Sequence, residues 1–461
     1  MDTPMRWREL FQQGRGRLTT GILLVEFMVA VEALVVIAIM PAIRRDLGGL
    51  EFYGLVFAGF SLAALVLSPI AGRAADQRGP AQPFFLFGTI FIAGTVFCGL
   101  APSMPLLALA RVIQGVGAGG SYTVALAAVT RIYPESGRAR VLALLAGAWI
   151  VPGLLGPSFG ALMASTLGWR WAFVSIIPLT VIAMALALPA LRAVPAAERP
   201  SQLSIRWPLE LAAGVAALIS GLSLLSWLSA PLVAVGSWLT WSALGHILPP
   251  GSLRARPGPP AAIMTIFLLL IAFVGADYFI PLMLTGIRGR SLAEAGAVIT
   301  LGTVSWSLGN WWQSHAVVRT SSITLIRLGG AILTIAIIGI LATLAGASLA
   351  ISYIAWFAAG VGMGIAYPTA YLVIMQGADA AGAGSAVSSE QVAERLALAL
   401  GGGLGGVCIA LAEGLRASLA AGLAGAFGLA LLAALAAIAL APRLPLTLVQ
   451  AAPERLHERP L

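Results

Sequence analysis

Apolar residues along this chain gather in long runs bounded by arginine, proline and glycine. A helix crossing a ~30 Å hydrocarbon layer at 1.5 Å per residue needs about 20 such residues. On that measure the runs predict spans near 20–41, 51–71, 83–101, 105–130, 141–165 and 170–190. Two more follow at 208–228 and 231–248, then six at 260–284, 292–313, 322–344, 347–375, 385–411 and 416–441. Only Ser229 to Pro231 separates the seventh from the eighth. Merged, they would be far too long for one crossing, so a tight hairpin is expected there.

Polar breaks divide the spans into six, two and six. The first break, 191–207, carries Pro195 and Pro200, and the second runs from Pro249 to Pro260. The expected organisation is a cytoplasmic segment 1–19, a six-helix bundle 20–190, a linker 191–207 and a two-helix insertion 208–248. A linker 249–259, a second six-helix bundle 260–441 and a cytoplasmic tail 442–461 complete it. Two pseudo-symmetric six-helix bundles around a shared midplane site are a transporter plan.

Composition closes off other classes. Of 461 residues, 59% are hydrophobic and 10% charged, with a mean hydropathy of +0.95. Soluble proteins carry roughly 25% charged residues. A soluble enzyme and a disordered chain are both excluded, and an all-α polytopic membrane protein is expected. The net charge of +9 comes from arginine alone, as the chain has no lysine. With the N-terminus inside, inward segments hold 19 arginines and outward loops 6, while Arg111 and Arg395 fall within spans. That asymmetry places both termini in the cytoplasm of a cell membrane and speaks against nucleic-acid binding. The first 18 residues are polar and no small-residue cleavage site follows the first apolar run. The first span is therefore expected to stay in the mature protein. Cys98 and Cys408 sit inside apolar runs, and His246, His315 and His457 are scattered. Neither a disulfide framework nor a metal site is expected.

Several motifs carry chemistry. After the second span stands Gly72-Arg-Ala-Ala-Asp76-Gln-Arg-Gly79, where glycines permit a tight turn and the aspartate can cap a facing helix. It resembles the Gly-x-Leu-Ala-Asp-Arg-x-Gly-Arg signature of the major facilitator superfamily. Gln77, Pro80 and Ala81 replace basic residues of that signature, which weakens its charge latch. The alternative is an ordinary polar turn. The fourth span reads Arg111-Val-Ile-Gln114-Gly115-Val-Gly117-Ala-Gly119. It is similar to a second motif of the superfamily, in which a membrane arginine takes part in proton coupling. Snorkelling of Arg111 to the outer surface is the alternative.

The fifth span contains Gly153, Gly156, Pro157 and Gly160, followed by Trp169-Arg-Trp171-Ala-Phe173. The glycines make a bare face for close helix approach, and the proline interrupts the backbone ladder. This resembles the antiporter motif Gly-x-x-x-Gly-Pro-x-x-Gly-Gly and the aromatics that follow it in drug:proton antiporters. Pro152 and Ala161 replace its outer glycines. Generic small-residue packing is the alternative.

The first span bears Glu26 and Glu32, and the stretch from Glu32 to Pro41 is similar to the Asp-x-Thr-Val-Val-Asn-Val-Ala-Leu-Pro pattern of fourteen-span antiporters. A carboxylate near mid-bilayer is costly when ionised, so reversible protonation is the function it suggests. The two acids lie about 120° apart on the helix and are not expected to share a face. In the second half, Asp277, Glu390, Glu394 and Arg395 are further charges within spans, and with Gln114 they are candidates for a substrate cavity. Glu390, Glu394 and Arg395 equally suit a structural ion pair. Trp306, Trp311, Trp312, Tyr353, Trp356, Tyr367 and Tyr371 could line an apolar cavity, although most read as packing or membrane-interface residues.

Together these resemblances imply a major facilitator fold of two six-helix bundles with an extra two-helix hairpin, in the drug:proton antiporter branch with fourteen spans. They imply alternating access driven by protons, export of amphipathic or cationic small molecules, no cofactor, and action as a monomer in the bilayer. Proton coupling is expected at Glu32, Glu26 and Arg111. Export of a lipid or metabolite, or import, keeps the same fold, though the antiporter motif argues against import. A membrane-embedded acyl or glycosyl transferase would need a His, Asp or metal cluster that the scattered histidines do not supply.

Overall fold

The computed structural model describes residues 7–12, 15–197, 204–224, 226–376 and 383–446. Arg6, Arg199, Pro200, Arg455, Arg459 and His457 lie outside these, with 198–203 of the first linker and 447–461 of the expected tail. The chain runs through α1 (Arg15–Leu47), α2 (Tyr53–Arg78), α3 (Ala81–Leu100), α4 (Met104–Ile132), α5 (Glu135–Gly147) and α6 (Ile150–Thr166). It continues with α7 (Trp169–Val174), α8 (Ile176–Leu191), α9 (Arg206–Ser223), α10 (Ser229–Ile247), α11 (Pro259–Asp277) and α12 (Ile280–Gly286). The last five are α13 (Leu292–Ala316), α14 (Ser322–Leu344), α15 (Leu349–Gln376), α16 (Ala383–Gly414) and α17 (Leu419–Leu440). Because α5–α6, α7–α8 and α11–α12 each continue as one segment, the helices group into fourteen segments, one for each expected span. Among the described residues, eleven of these are long and apolar enough to cross a bilayer by length and composition; α9, α10 and α13 fall outside that set.

Three spans expected to be continuous are interrupted, and one cause explains all three. A proline lacks the amide proton and its ring collides with the carbonyl four residues back. Four residues before Pro152, Pro178 and Pro281 stand Ala148, Val174 and Asp277, where α5, α7 and α11 give out. Pro41, Pro69, Pro157, Pro189 and Pro368 are absorbed inside continuous helices.

Connectivity puts residue 15 and residue 440 at one end of the bundle, here the terminal end. The cores differ between the two ends. One buried cluster joins Leu34–Ile43 of α1, Tyr53 to Phe57 of α2, Met104 to Ala110 of α4 and Phe173 of α7 with residues of α11 to α17. All the first-half members belong to the end opposite the termini. A second cluster, with Leu18, Ile22, Ala75, Phe84, Val129 and Leu191, holds first-half residues alone and lies toward the terminal end. The two halves thus share an interior at the opposite end and have separate interiors near the termini.

The shared end is tightly zipped. A Cβ on Gly54 of α2 would lie 2.2 Å from the Gly402 carbonyl oxygen of α16, so only glycine admits this crossing. Beside it the Phe57 and Tyr278 rings stack at 4.1 Å, and Tyr53 donates to the Tyr278 carbonyl at 3.3 Å. The α9–α10 hairpin lies outside this seam. Leu211, Val215 and Ile219 of α9 pack with Ala58, Leu62 and Leu65 of α2 and with Leu396 and Leu400 of α16.

Candidate functional site

The two acids of α1 meet different partners, as their angular separation requires. Glu32 is fully buried and pairs with Nη1 of Arg111, itself only 2% exposed. The same nitrogen donates to Gln114 Oε1 at 2.6 Å, and Arg111 Nε donates to the Val56 carbonyl at 3.3 Å. The guanidinium carbon sits 4.2 Å above the centre of the Phe60 ring. Gln114 Nε2 in turn donates to Thr95 Oγ1 at 3.0 Å. Four helices, α1 to α4, therefore enclose one polar network. The arginine turns inward, so the snorkelling alternative is overturned: a buried carboxylate outcompetes the distant surface for its charge. Glu32 Oε2 is buried with no hydrogen-bond partner among the described residues.

Glu26 accepts a hydrogen bond from Trp149 Nε1 at 2.5 Å, and its Oε2 has no described partner. Trp149 stands at the gap between α5 and α6, where Pro152 has broken the helix. Nothing in the spacing pointed to that contact, which joins residues 123 positions apart.

Across the interior, Tyr367 of α15 donates its hydroxyl to Glu390 of α16. Glu390 is buried, and Glu394 and Arg395 are half-buried. The Arg395 guanidinium lies 6.0 Å from the centre of the Tyr122 ring of α4, and it and Glu394 are within electrostatic reach of Glu26. Glu26, Tyr122, Glu390, Glu394 and Arg395 thus gather residues of both halves at one place. The expected alternative of a close ion pair within α16 is not what forms. Among the described residues no carboxylate oxygen comes within 4.0 Å of the Arg395 nitrogens.

Asp277, the last residue of α11, accepts from Trp356 Nε1 at 2.8 Å. Trp356 stacks on Phe273 at 4.9 Å, Phe273 meets Trp306 edge-on at 5.2 Å, and Trp306 approaches Tyr367 at 5.8 Å. A row of four rings therefore connects Asp277 to Glu390. Trp311 and Trp312 instead are 67% and 43% exposed on α13, as interface aromatics are. Gln114 and Asp277 are both engaged by protein partners in this conformation.

The signature stretch, expected as a turn, is helical through Arg78, the end of α2, with only Gly79 in the turn, and it sits at the terminal end. Asp76 pairs with Arg131 near the end of α4, and Arg131 Nη1 also donates to the carbonyls of Ala75 at 3.2 Å and Pro195 at 3.4 Å. Gly79 has φ +77°, a backbone that L residues with a Cβ resist. Gly72 lies within α2, facing Thr123. The motif on α6 packs on both halves. Gly156 and Gly160 face Leu34 and Val35 of α1, one turn past Glu32, while Gly153 faces Thr303 and Pro157 faces Gly296 of α13. Among the described residues no group of three or more His, Cys, Asp or Glu side chains could hold a metal ion.

Comparison with known proteins places this geometry. Residues 22–402 match the family model of the Major Facilitator Superfamily. A probable multidrug-efflux transporter of Mycobacterium tuberculosis is 28% identical over 452 residues, covering 91% of this chain and 93% of its own. An uncharacterised transporter of the same superfamily from that organism is 28% identical over 300 residues, which is 61% of this chain and only 43% of the relative. Among solved structures, the POT family transporter PepTSo superposes with a TM-score of 0.68 at 14% identity, over 93% of this chain and 98% of its own.

Proposed function

We propose that this chain, which belongs to the Major Facilitator Superfamily, exports amphipathic or cationic small molecules in exchange for protons by alternating access. A member of this family that aligns over nine-tenths of its length with a probable efflux transporter is not read as a transferase. The observation that carries the coupling is the buried Glu32–Arg111 pair. Ionised, Glu32 neutralises Arg111 in a water-poor interior; protonated, it leaves the guanidinium to Gln114, the Val56 carbonyl and the Phe60 face. A proton on Glu32 therefore changes which arrangement of α1 against α4 is preferred, and only such differential affinity shifts a conformational equilibrium.

Substrate binding falls to the second region. Glu26, Glu390 and Glu394 outnumber the single Arg395, and the ring row behind Tyr367 offers flat apolar faces. That combination suits an aromatic or amphipathic cation. The bundles are residues 20–190 and 260–441, rocking about the zipped end. The terminal end is cytoplasmic in a cell membrane, which makes this an inward-facing arrangement. The gradient supplies the energy, no cofactor is used, and one chain suffices.

The test is transport in proteoliposomes with an imposed pH gradient. Glu32→Gln mimics the protonated acid, so it abolishes uphill export while some downhill substrate exchange survives. Uphill accumulation at the wild-type level in Glu32→Gln, together with its loss in Glu26→Gln, would reverse the two roles. Reporter fusions at residues 200 and 255 should both read cytoplasm, and one at residue 230 the outside.

A further inference from the structure

The linker from α10 to α11 forms a site that the transport cycle does not use. Both helices end there, so it lies at the membrane surface of the terminal end. It is a compact, pre-shaped turn. Gly251 adopts φ +93°, and its carbonyl accepts from the amides of Arg254 and Arg256, each at 3.1 Å. Arg443, just past α17, donates through Nη1 to the carbonyls of Arg254 at 3.0 Å and Ala255 at 3.1 Å. The Gly258 amide donates back to the Arg443 carbonyl at 2.9 Å. The turn is thus clamped to the second bundle.

Between this turn and the last turns of α10 lies a cavity of about 320 Å³. Leu244 and Leu248 form an apolar wall, while Arg254 and Arg256 form the rim. Neither arginine has a carboxylate oxygen within 4.0 Å among the described residues, so both guanidinium groups are exposed and uncompensated. Ser252, which also lines the cavity, is 1% exposed, and its hydroxyl has no hydrogen-bond partner among the described residues. A buried hydroxyl left unpaired is costly unless something fills the role. On the flank, Trp241 is 62% exposed, within two turns of the end of α10.

We infer that this cavity binds the phosphodiester of an anionic phospholipid. Two forked guanidinium groups suit phosphate oxygens, the Ser252 hydroxyl supplies a further donor, and the apolar wall and Trp241 receive the start of the acyl chains. A free phosphate would meet the same donors but gain nothing from the wall. The inference stands independently of what the protein transports.

The experiment is native mass spectrometry of the purified full-length protein, titrated separately with phosphatidylglycerol, phosphatidylcholine and glycerol phosphate. Wild type should retain one phosphatidylglycerol more tightly than any phosphatidylcholine. Arg254→Gln and Arg256→Gln should each weaken that binding about fivefold, the worth of one arginine at an anionic surface, and the double variant about 25-fold. Ser252→Ala should weaken it further while leaving the melting temperature of the lipid-free protein unchanged or higher. Arg192→Gln, an exposed arginine at the same end, should change nothing. Undiminished phosphatidylglycerol binding by the double variant would overturn the assignment. So would equal retention of phosphatidylcholine, or glycerol phosphate displacing the lipid at comparable concentration, which would mark a free-anion site.

Discussion

Glu32 and Glu390 are both buried carboxylates in the interior of this protein, one in each half, yet they are balanced in opposite ways. Glu32 faces a guanidinium that three further groups hold in place. Glu390 faces a tyrosine hydroxyl, with a second acid one turn away and Arg395 too far for a close pair. The first arrangement is electrically complete when Glu32 is ionised. The second has a deficit of positive charge, which an incoming cation would make good. Two acids at similar burial therefore suit two different tasks, and the difference is set by their neighbours.

Breaking the complete pair should have the largest consequence. Arg111→Gln strands an ionised or newly protonated Glu32 in the interior, at a cost of about 3–5 kcal/mol. Thermal melting of the purified variant should fall accordingly, and uphill transport should be lost. Adding Glu32→Gln should restore much of the melting temperature and none of the uphill transport. Recovery of both would mean that the pair is structural alone.

Smaller effects should separate the second site from the first. Glu390→Gln should raise KM for a monocationic substrate about tenfold, the loss of one charge-assisted contact, with little change for a neutral one. Equal effects on both substrates would erase the distinction between a coupling acid and a binding acid. Tyr367→Phe removes the donor to Glu390 and should cost about 1 kcal/mol of the same binding, near fivefold in KM. The Asp76–Arg131 pair, about one-fifth exposed on each side, belongs to neither site. Asp76→Asn should therefore leave substrate affinity unchanged and slow turnover about twofold, in keeping with a partly exposed pair. A change in substrate selectivity in that variant would contradict its placement at the terminal end.

Much of this protein is determined by the sequence alone. Fourteen helical segments, a hairpin between the seventh and eighth and the expected membrane placement follow from runs of apolar residues and from where arginines fall, although the turn falls between Ser223 and Ser229 and Ser229–Pro231 open α10. The bilayer makes that possible, because a backbone in hydrocarbon must satisfy its own hydrogen bonds and so becomes helical wherever the run is long enough. The acids and Arg111 were also legible as chemistry, since a charge in an apolar run is costly wherever it ends up. What they pair with was not. Arg111 meets Glu32 across 79 positions, Trp149 meets Glu26 across 123, and Tyr122 approaches Arg395 from the other half of the molecule. Hydropathy adds up along the chain and is read locally. A partner depends on which faces of which helices touch, and here bare glycine faces such as those of Gly54, Gly156 and Gly160 set those contacts. Only the packed structure decides them, because the same small residues would have allowed close approach to many other helices.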